Sequence, residues 1–356
     1  MRKLTLYVAS TVLYTSFIMI LALTAIFFIF TYINQAGDIG QGNYSALDAF
    51  LFVLYDAPAN IYLIMPVCAL LGGMMGLGLL AHNSELIVMR ASGQSIAQIA
   101  KGVLLAASIL ALLTFLMGAY IAPYFQKKAA VNKTLATGGN QALVLYDTQS
   151  IWVREGNSFI HVGKNEPNGQ LRNITRFEVS NNELDAVSFG KNAEYKGKQW
   201  HVQDVNITKI NQQSASTEHK AQDIWNNLLP PSLLKIITSN TDYLNLNELV
   251  DYIKANKEES QSANRIWLKF WQMFFQPLSL LILMLISVPF SLGSQRSSAM
   301  GYKLVLGMLF GFSFYIINQT FGPFSLVYNL PAFLGAAIPS FIFLILLAFL
   351  FWKMKE

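Results

Sequence analysis

The sequence predicts a membrane α-helical protein: six transmembrane helices with an antiparallel β domain inserted between the third and the fourth. Three observations lead there. Lys and Arg number 25 and Asp and Glu 20, yet 32 of these charges fall within residues 122–269. Apolar runs at 7–33, 61–81 and 96–121 precede that stretch, and runs at 270–290, 304–321 and 332–352 follow it. Each is about the length that crosses a hydrocarbon core of roughly 30 Å as a helix. The composition, 53% hydrophobic and 13% charged with a mean hydropathy of +0.40, lies outside the range of ordinary soluble domains. The resulting division is 1–125 for helices one to three, 126–265 for the insert and 266–356 for helices four to six.

The first run is too long for a signal-peptide core and no small-x-small cleavage site follows it, so it reads as a span. Orientation comes from the few charges left outside the insert. The basic ones are Arg2, Lys3, Arg90, Lys101, Arg296, Lys303, Lys353 and Lys355, and with six spans all lie on the side of the two termini. The short loops on the other side, about 34–60 and 322–331, hold Asp38, Asp48 and Asp56 and no Lys or Arg. The positive-inside rule then makes both termini cytoplasmic and turns the insert outward. Lys101, about a turn inside the third span, can snorkel back to the interface. Trp267, Trp271 and Trp352 fit interfacial belts. Cys68 stands alone inside the second span, where it reads as a small apolar packing residue.

Within the insert, short runs at 142–146, 150–153, 157–162, 171–179, 184–189 and 199–210 alternate with turn formers, which marks them as strands. Six to eight strands without intervening helices imply an antiparallel sandwich or jelly roll. In the last run Trp200 and Val202 share one face while Val205 and Ile207 fall on the other parity, which predicts a bulge near Gln203-Asp204. Residues 245–257 read as a helix that leads back to the membrane, with Asn245 and Glu248 spaced as a capping box.

Several functions are disfavoured by what the residues do not spell. The Gly-Lys pairs lack the spacing of a phosphate loop, and HExxH, GxSxG and CxxC do not occur. His82, His161, His201 and His219 show no metal-ligand spacing, so no metal site is expected, and the strand histidines read as solvated or hydrogen-bonded. No basic cluster with interleaved aromatics points to nucleic acid. A membrane enzyme would need paired carboxylates, a Ser/Lys pair or metal ligands at bilayer depth; Asp56 beside Pro58 is the nearest candidate and reads as interfacial.

The segment 81–93, between spans two and three on the cytoplasmic side, is the most specific in the chain. Ser84 can cap a short helix over about 84–92, Glu85 sits in its first turn, and Gly93 suits a left-handed C-terminal turn. Leu86, Val88 and Met89 offer apolar contact and Glu85 and Arg90 charge. Such a helix can enter a groove on a soluble partner or lie on the bilayer surface. In the spans, Gly72/Gly76 and Gly307/Gly311 are small-xxx-small pairs that let helices approach closely.

Three spans, an outward β domain and three more spans, with the run Ser84-Glu85-Leu86-Ile87-Val88-Met89-Arg90-Ala91-Ser92-Gly93, resemble the LptF/LptG lipopolysaccharide-transport permeases. Further matches are Gly40-Gln41-Gly42-Asn43-Tyr44-Ser45-Ala46-Leu47, Pro66 with the glycine-rich run after it, and Asn318-Gln319-Thr320-Phe321-Gly322-Pro323 with its continuation to Pro331. The resemblance covers essentially the whole chain. It implies an ABC-type permease subunit of the bacterial inner membrane with a periplasmic β jelly roll. It also implies pairing with an LptF subunit, a coupling helix docked on a dimer of the ATPase LptB, contact with LptC, and delivery of lipopolysaccharide to an LptA bridge. ATP and Mg would be bound by the ATPase, with no cofactor in this chain.

Under that resemblance, cations at the outer rim of a lipid cavity would meet substrate phosphates and carboxylates. Lys127, Lys128, Lys133, Arg265 and Lys269 are the candidates, with Phe321 on the apolar wall. Residues flanking a large exported domain also escape the positive-inside rule, which accounts for the same lysines without any ligand. Where relatives carry a Lys-Lys pair after span one this chain has Gly37-Asp38, so an anion clamp is not expected there. Span five would face span one of the partner, with Gly311 and Asn318 in that seam; packing within the chain is the other reading of those residues. The rival function is a mechanotransmission ABC subunit that moves a periplasmic partner without carrying lipid. Four spans with the exported domain after the first would be its pattern.

Overall fold

The computed structural model describes residues 2–137, 151–155, 158–165, 170–180, 183–196, 199–211, 214–225, 243–255, 261–292 and 300–353. The strand expected at 142–146, the turns at 156–157, 167–169 and 197–198, the last two residues of the expected helix 245–257, Arg296 and Lys355 lie outside them. The chain divides into two compact units, Met1–Gly37 with Ala49–Ala129 and Asn245–Glu356, and Asp38–Asp48 with Ala130–Leu244.

Six helices are long and apolar enough to cross a membrane. They are α1 (Arg2–Ala36), α2 (Ala46–His82), a third built from α4 (Ile96–Leu116), a π turn (Met117–Ile121) and α5 (Ala122–Thr137), then α7 (Gln261–Leu292), α8 (Met300–Val327) and α9 (Ala332–Lys353). Two short helices complete the set among the described residues, α3 (Glu85–Ala91) and α6 (Leu246–Ala255). The outer loop expected at 34–60 is mostly helix, since α2 begins at Ala46 and carries Asp48, Asp56 and Pro58 in its first half. Charge and proline mark a loop in water, but a helix packed among other helices tolerates both. Likewise α8 runs through Pro323 to Val327, and only the short stretch before Ala332 is left as loop.

The core explains the order of the helices. One cluster joins Val8 and Val12 of α1, Leu77 of α2, Leu86 of α3, Val103 and Ala107 of α4, and Leu280 and Met284 of α7. A second joins Leu70 and Met74 of α2, Leu283 and Ile286 of α7, Phe314 of α8 and Phe343 of α9. α2 and α7 enter both clusters and are the interior helices, with the most buried of the six apolar segments. α1 and α8 instead turn Phe17, Leu21, Ile29 and Val305, Leu309, Phe312 outward.

Glycines set two crossings. A Cβ at Gly72 would collide with the Ser16 backbone, and one at Gly76 would meet Thr15 Oγ1 and Val12, so both serve the α1–α2 approach. The Thr15 hydroxyl donates to the Gly72 carbonyl at 2.7 Å across it. Gly307 and Gly311 meet Met74, Leu71 and Val67 of α2. Both pairs therefore pack within this chain, which is one of the two readings the sequence leaves for Gly311.

In the second unit six strands, β1 (Ile151–Glu155), β2 (Ser158–Asn165), β3 (Leu171–Ser180), β4 (Glu183–Lys196), β5 (Gln199–Asn211) and β6 (Ser214–Trp225), pair in sequence order as one antiparallel sheet. That is compatible with the expected jelly roll, although among the described residues no strand crosses over a neighbour. β6 belongs to the six to eight strands expected, although its run of Ser, Thr, Glu, His, Lys and Gln has no apolar alternation. It is held by pairing along all of β5. One face gathers Ile160, Val162, Leu171, Ile174, Ala193, Trp200, Val202, Val205 and Trp225. His201 and His219 lie within hydrogen-bond distance of Gln222 and Asn206 on neighbouring strands.

The bulge expected at Gln203-Asp204 is absent. Val202 and Val205 are both buried, yet the β4–β5 and β5–β6 registers run through the site without a shift. Asp204 takes a left-handed conformation, φ 57°, and turns the face of the strand over without adding a residue. Asn173 does the same in β3, φ 53°, between the buried Leu171 and Ile174. Asn and Asp are the side chains that reach this region at least cost. The sheet's register shift lies elsewhere, at Glu178/Val179 against β4.

Candidate functional site

Two groups of residues carry the candidate chemistry, and each follows from local sequence. The first is the cationic stretch of α5. Asn245 and Glu248 form the expected capping box at α6, each side chain accepting the other's backbone N–H at 2.9 Å. The Glu248 carboxylate also accepts from Lys127 Nζ at 2.6 and 2.7 Å. Lys127 thus ties α5 to α6 and is neutralised where it stands. Lys128, the next residue, pairs with no carboxylate among the described residues and rests its ammonium 4.8 Å from the Tyr55 ring centroid. Tyr55 in turn stacks on Phe125 at 6.1 Å. Asp56 beside it accepts from Asn60 at 3.0 Å and Gln126 at 3.4 Å, a helix-to-helix polar contact. Arg265 is exposed and joins no ion pair among the described residues, and Lys269 is half-buried. Phe321 is half-buried with its ring 6.0 Å from Phe324.

Lys133 belongs to the second unit. Its ammonium donates to Asp38 at 2.6 Å and lies 5.9 Å from the Tyr44 ring. The hydrogen bond from Lys133, then its charge, holds the Asp38 carboxyl below the usual carboxylate range. Burial pushes the Tyr44 phenol up, with the Asp38 and Asp48 charges adding to it. The loop is fixed further by the Asn43 N–H, which donates to the Ala136 carbonyl at 2.7 Å, and by Gly42, where a Cβ would strike the Thr137 carbonyl. Asp38 is the partner of a candidate cation.

The second group is α3. Glu85 opens its first turn, as expected, and faces the Tyr7 hydroxyl of α1. Ser84 does not cap it: its backbone is left-handed, φ 61°, and its side chain makes no cap hydrogen bond. The C-terminal end is the stronger signal. Gly93, φ 88°, donates to the Arg90 carbonyl and Gln94 to the Met89 carbonyl, both at 3.1 Å, closing a Schellman motif. Leu86 and Met89, three apart, are 0% and 6% exposed and anchor the helix in the core. Val88 and its neighbour Ile87, which the sequence reading left out, are 66% and 51% exposed, with Arg90 beside them. The apolar residues therefore split into two that hold the helix and two it presents.

Asn318 turns inward. Its Nδ2 donates to Gln276 Oε1 of α7 at 3.0 Å, while Gln319 is exposed. Gln276 escaped the sequence reading. Two amides one turn apart in an apolar run, Gln272 and Gln276, were the available signal.

Known proteins place the chain. The family described as "Lipopolysaccharide export system permease LptF/LptG" matches residues 6–353. The "Lipopolysaccharide export system permease protein LptG" of Escherichia coli (strain K12) is 32% identical over 338 residues, 94% of this chain and 93% of the relative. The protein of the same description from Haemophilus influenzae (strain ATCC 51907 / DSM 11121 / KW20 / Rd) is 29% identical over 354 residues, 98% of each. Six apolar spans interrupted by an antiparallel sheet, matched from the first span to the last, make this chain a member of the LptF/LptG family of lipopolysaccharide export permeases.

Proposed function

We propose that this chain is the LptG-type permease subunit of an ATP-driven lipopolysaccharide exporter in the inner membrane. One observation carries the reading: two relatives named as lipopolysaccharide export permease protein LptG match it over 94% and 98% of its length. The subunit takes lipopolysaccharide from the outer leaflet of that membrane and hands it to a periplasmic bridge of LptA. LptF is its partner in the membrane, a dimer of LptB binds the ATP and Mg that drive it, and LptC joins the assembly. No catalytic site or cofactor is assigned to this chain.

The sorted charges support cytoplasmic termini and a periplasmic sheet. α3 would be the coupling helix, with Ile87, Val88 and Arg90 entering a groove of LptB; Leu86 and Met89 keep it rigid, and rigid display lowers the ordering cost of docking. Lys128 and Arg265 are the cations left without a carboxylate among the described residues, and they are the proposed contacts for phosphate. Lys127 and Lys133 reach substrate only by releasing Glu248 and Asp38. Exposed faces of α1 and α8 would meet acyl chains or the second subunit.

Photoreactive residues at Lys128, Arg265, Phe312 and Phe321 test the reading. Adducts with lipopolysaccharide that ATP diminishes are expected. A complex that assembles with its ATPase and yields no adduct at any of the four positions refutes lipid carriage by this subunit.

A further inference from the structure

α2 runs through Pro66. Proline has no N–H, so the carbonyl of Tyr62, four residues back, loses its helical donor. At bilayer depth that acceptor needs another partner. Gln276 of α7 supplies it: its Nε2 donates to the Tyr62 and Leu63 carbonyls, both at 3.3 Å. Gln276 is 5% exposed, and its own Oε1 accepts from Asn318 of α8 at 3.0 Å. One turn earlier on α7 the Gln272 carbonyl accepts from the Tyr62 hydroxyl at 3.3 Å. An inverted Gln276 amide would set donor against donor at Asn318 and acceptor against two carbonyls, so the arrangement is determined. Three helices meet at one side chain.

The surroundings give the joint a direction. Just past Pro66, α8 lies against α2 with Gly311 at Val67 and Gly307 at Leu71 and Met74. At its far end α2 leads directly into α3, whose Leu86 and Met89 share a buried cluster with Leu77 and Leu80 of α2. Two long hydrogen bonds to adjacent carbonyls, made by a flexible side chain, can follow a bend at Pro66 that a backbone bond could not.

We propose that Gln276 is a positioning residue for transport. Its amide fills the gap that Pro66 opens in α2 and, by holding Asn318, makes α8 follow α2, so that displacement delivered at α3 reaches α8. The proposal rests on the permease reading only in taking α3 as the point where ATP-driven motion arrives.

Two measurements on the assembled complex judge it. The first is a double-mutant cycle in thermal unfolding with Gln276→Leu and Pro66→Ala. Alanine restores the N–H that Tyr62 lacks. Gln276→Leu is therefore expected to lower the folded-to-unfolded ratio by about threefold more with Pro66 present than with alanine there. Equal losses in the two backgrounds overturn the joint. Should Gln276→Leu alone fail to assemble, assembly of the double variant supports the joint and its failure overturns it. The second follows the distance between spin labels at Ala91 and Phe312, both exposed, with and without ATP. An ATP response that Asn318→Ala abolishes is expected. A response that survives Asn318→Ala overturns the relay, whereas no response in the unaltered protein overturns the coupling role of α3, leaving the joint to the cycle.

Discussion

The cationic stretch of α5 and the short helix α3 answer the same question in opposite ways. On α5, Lys127 is already bonded to Glu248 and Lys133 to Asp38, so charge that looks available in the sequence is spoken for in the fold. On α3, apolar side chains that look interchangeable divide into an anchored pair and a presented pair. A lysine's reach lets the fold neutralise it locally. A Val on the outer face of a rigid helix has no such recourse, and only a partner or lipid can cover it. Residue type alone ranks candidates poorly; what each side chain already touches ranks them better.

That contrast can be broken at five residues. Val88→Glu puts a charge into the presented face while Leu86 and Met89 still hold the helix. Retention of the ATPase on the purified permease should fall about thirtyfold, the effect of a hot-spot loss of ~2 kcal/mol. Retention at the unaltered level would remove α3 from the interface. Gly93→Val forces a β-branched side chain into φ 88° and should weaken the Schellman turn by roughly 1–2 kcal/mol. Faster amide exchange at Gln94 is the readout, with retention of the ATPase falling less than for Val88→Glu.

On the cationic side, Lys128→Ala should reduce lipid crosslinking from Arg265 by about threefold, in line with an exposed charge worth up to ~1 kcal/mol. Lys127→Ala should leave that crosslinking alone and loosen α6. The opposite ranking would mean that the Glu248 pair opens for substrate. The smallest effect belongs to Asp38. Its carboxyl is held below the ordinary value of 3.8, so its pairing with Lys133 stabilises the loop above that pH and is lost as pH falls through the lowered value. Amide protection of Asn43 should be flat at neutral pH and fall only in strong acid. Asp38→Asn should remove that acid dependence, and an unchanged acid profile in this variant would assign the loop's order to the Asn43–Ala136 bond instead.

Much of this was legible beforehand, for physical reasons. Bilayer thickness forces long apolar runs, so the six spans were plain, and the capping box at Asn245 and Glu248 is a short-range pattern that survives in the fold. What escaped depends on partners distant in sequence. The first half of α2 hides behind Asp48, Asp56 and Pro58, which packing and the Asn60 and Gln126 contacts accommodate. Ser84 has the composition of a cap and the backbone of a turn. Pairing of Lys127 with Glu248 spans 121 residues, and capping of the Tyr62 carbonyl by Gln276 spans 214; no local rule reaches either. β6 lacks an apolar pattern because its neighbour supplies the reason for its shape.

The left-handed residues Asn173 and Asp204 have a consequence for how this sheet tolerates change. Each lets one strand be written as two half-strands of opposite phase, joined without an insertion. A sequence drifting under selection can therefore revise the apolar lettering on either side of the joint independently, as long as the joint itself stays Asn, Asp or Gly. Asp204→Gly should be nearly silent and Asp204→Val costly, although the site is exposed to solvent and lies outside the apolar cluster. The grammar of the sheet is held by two polar letters on its outside.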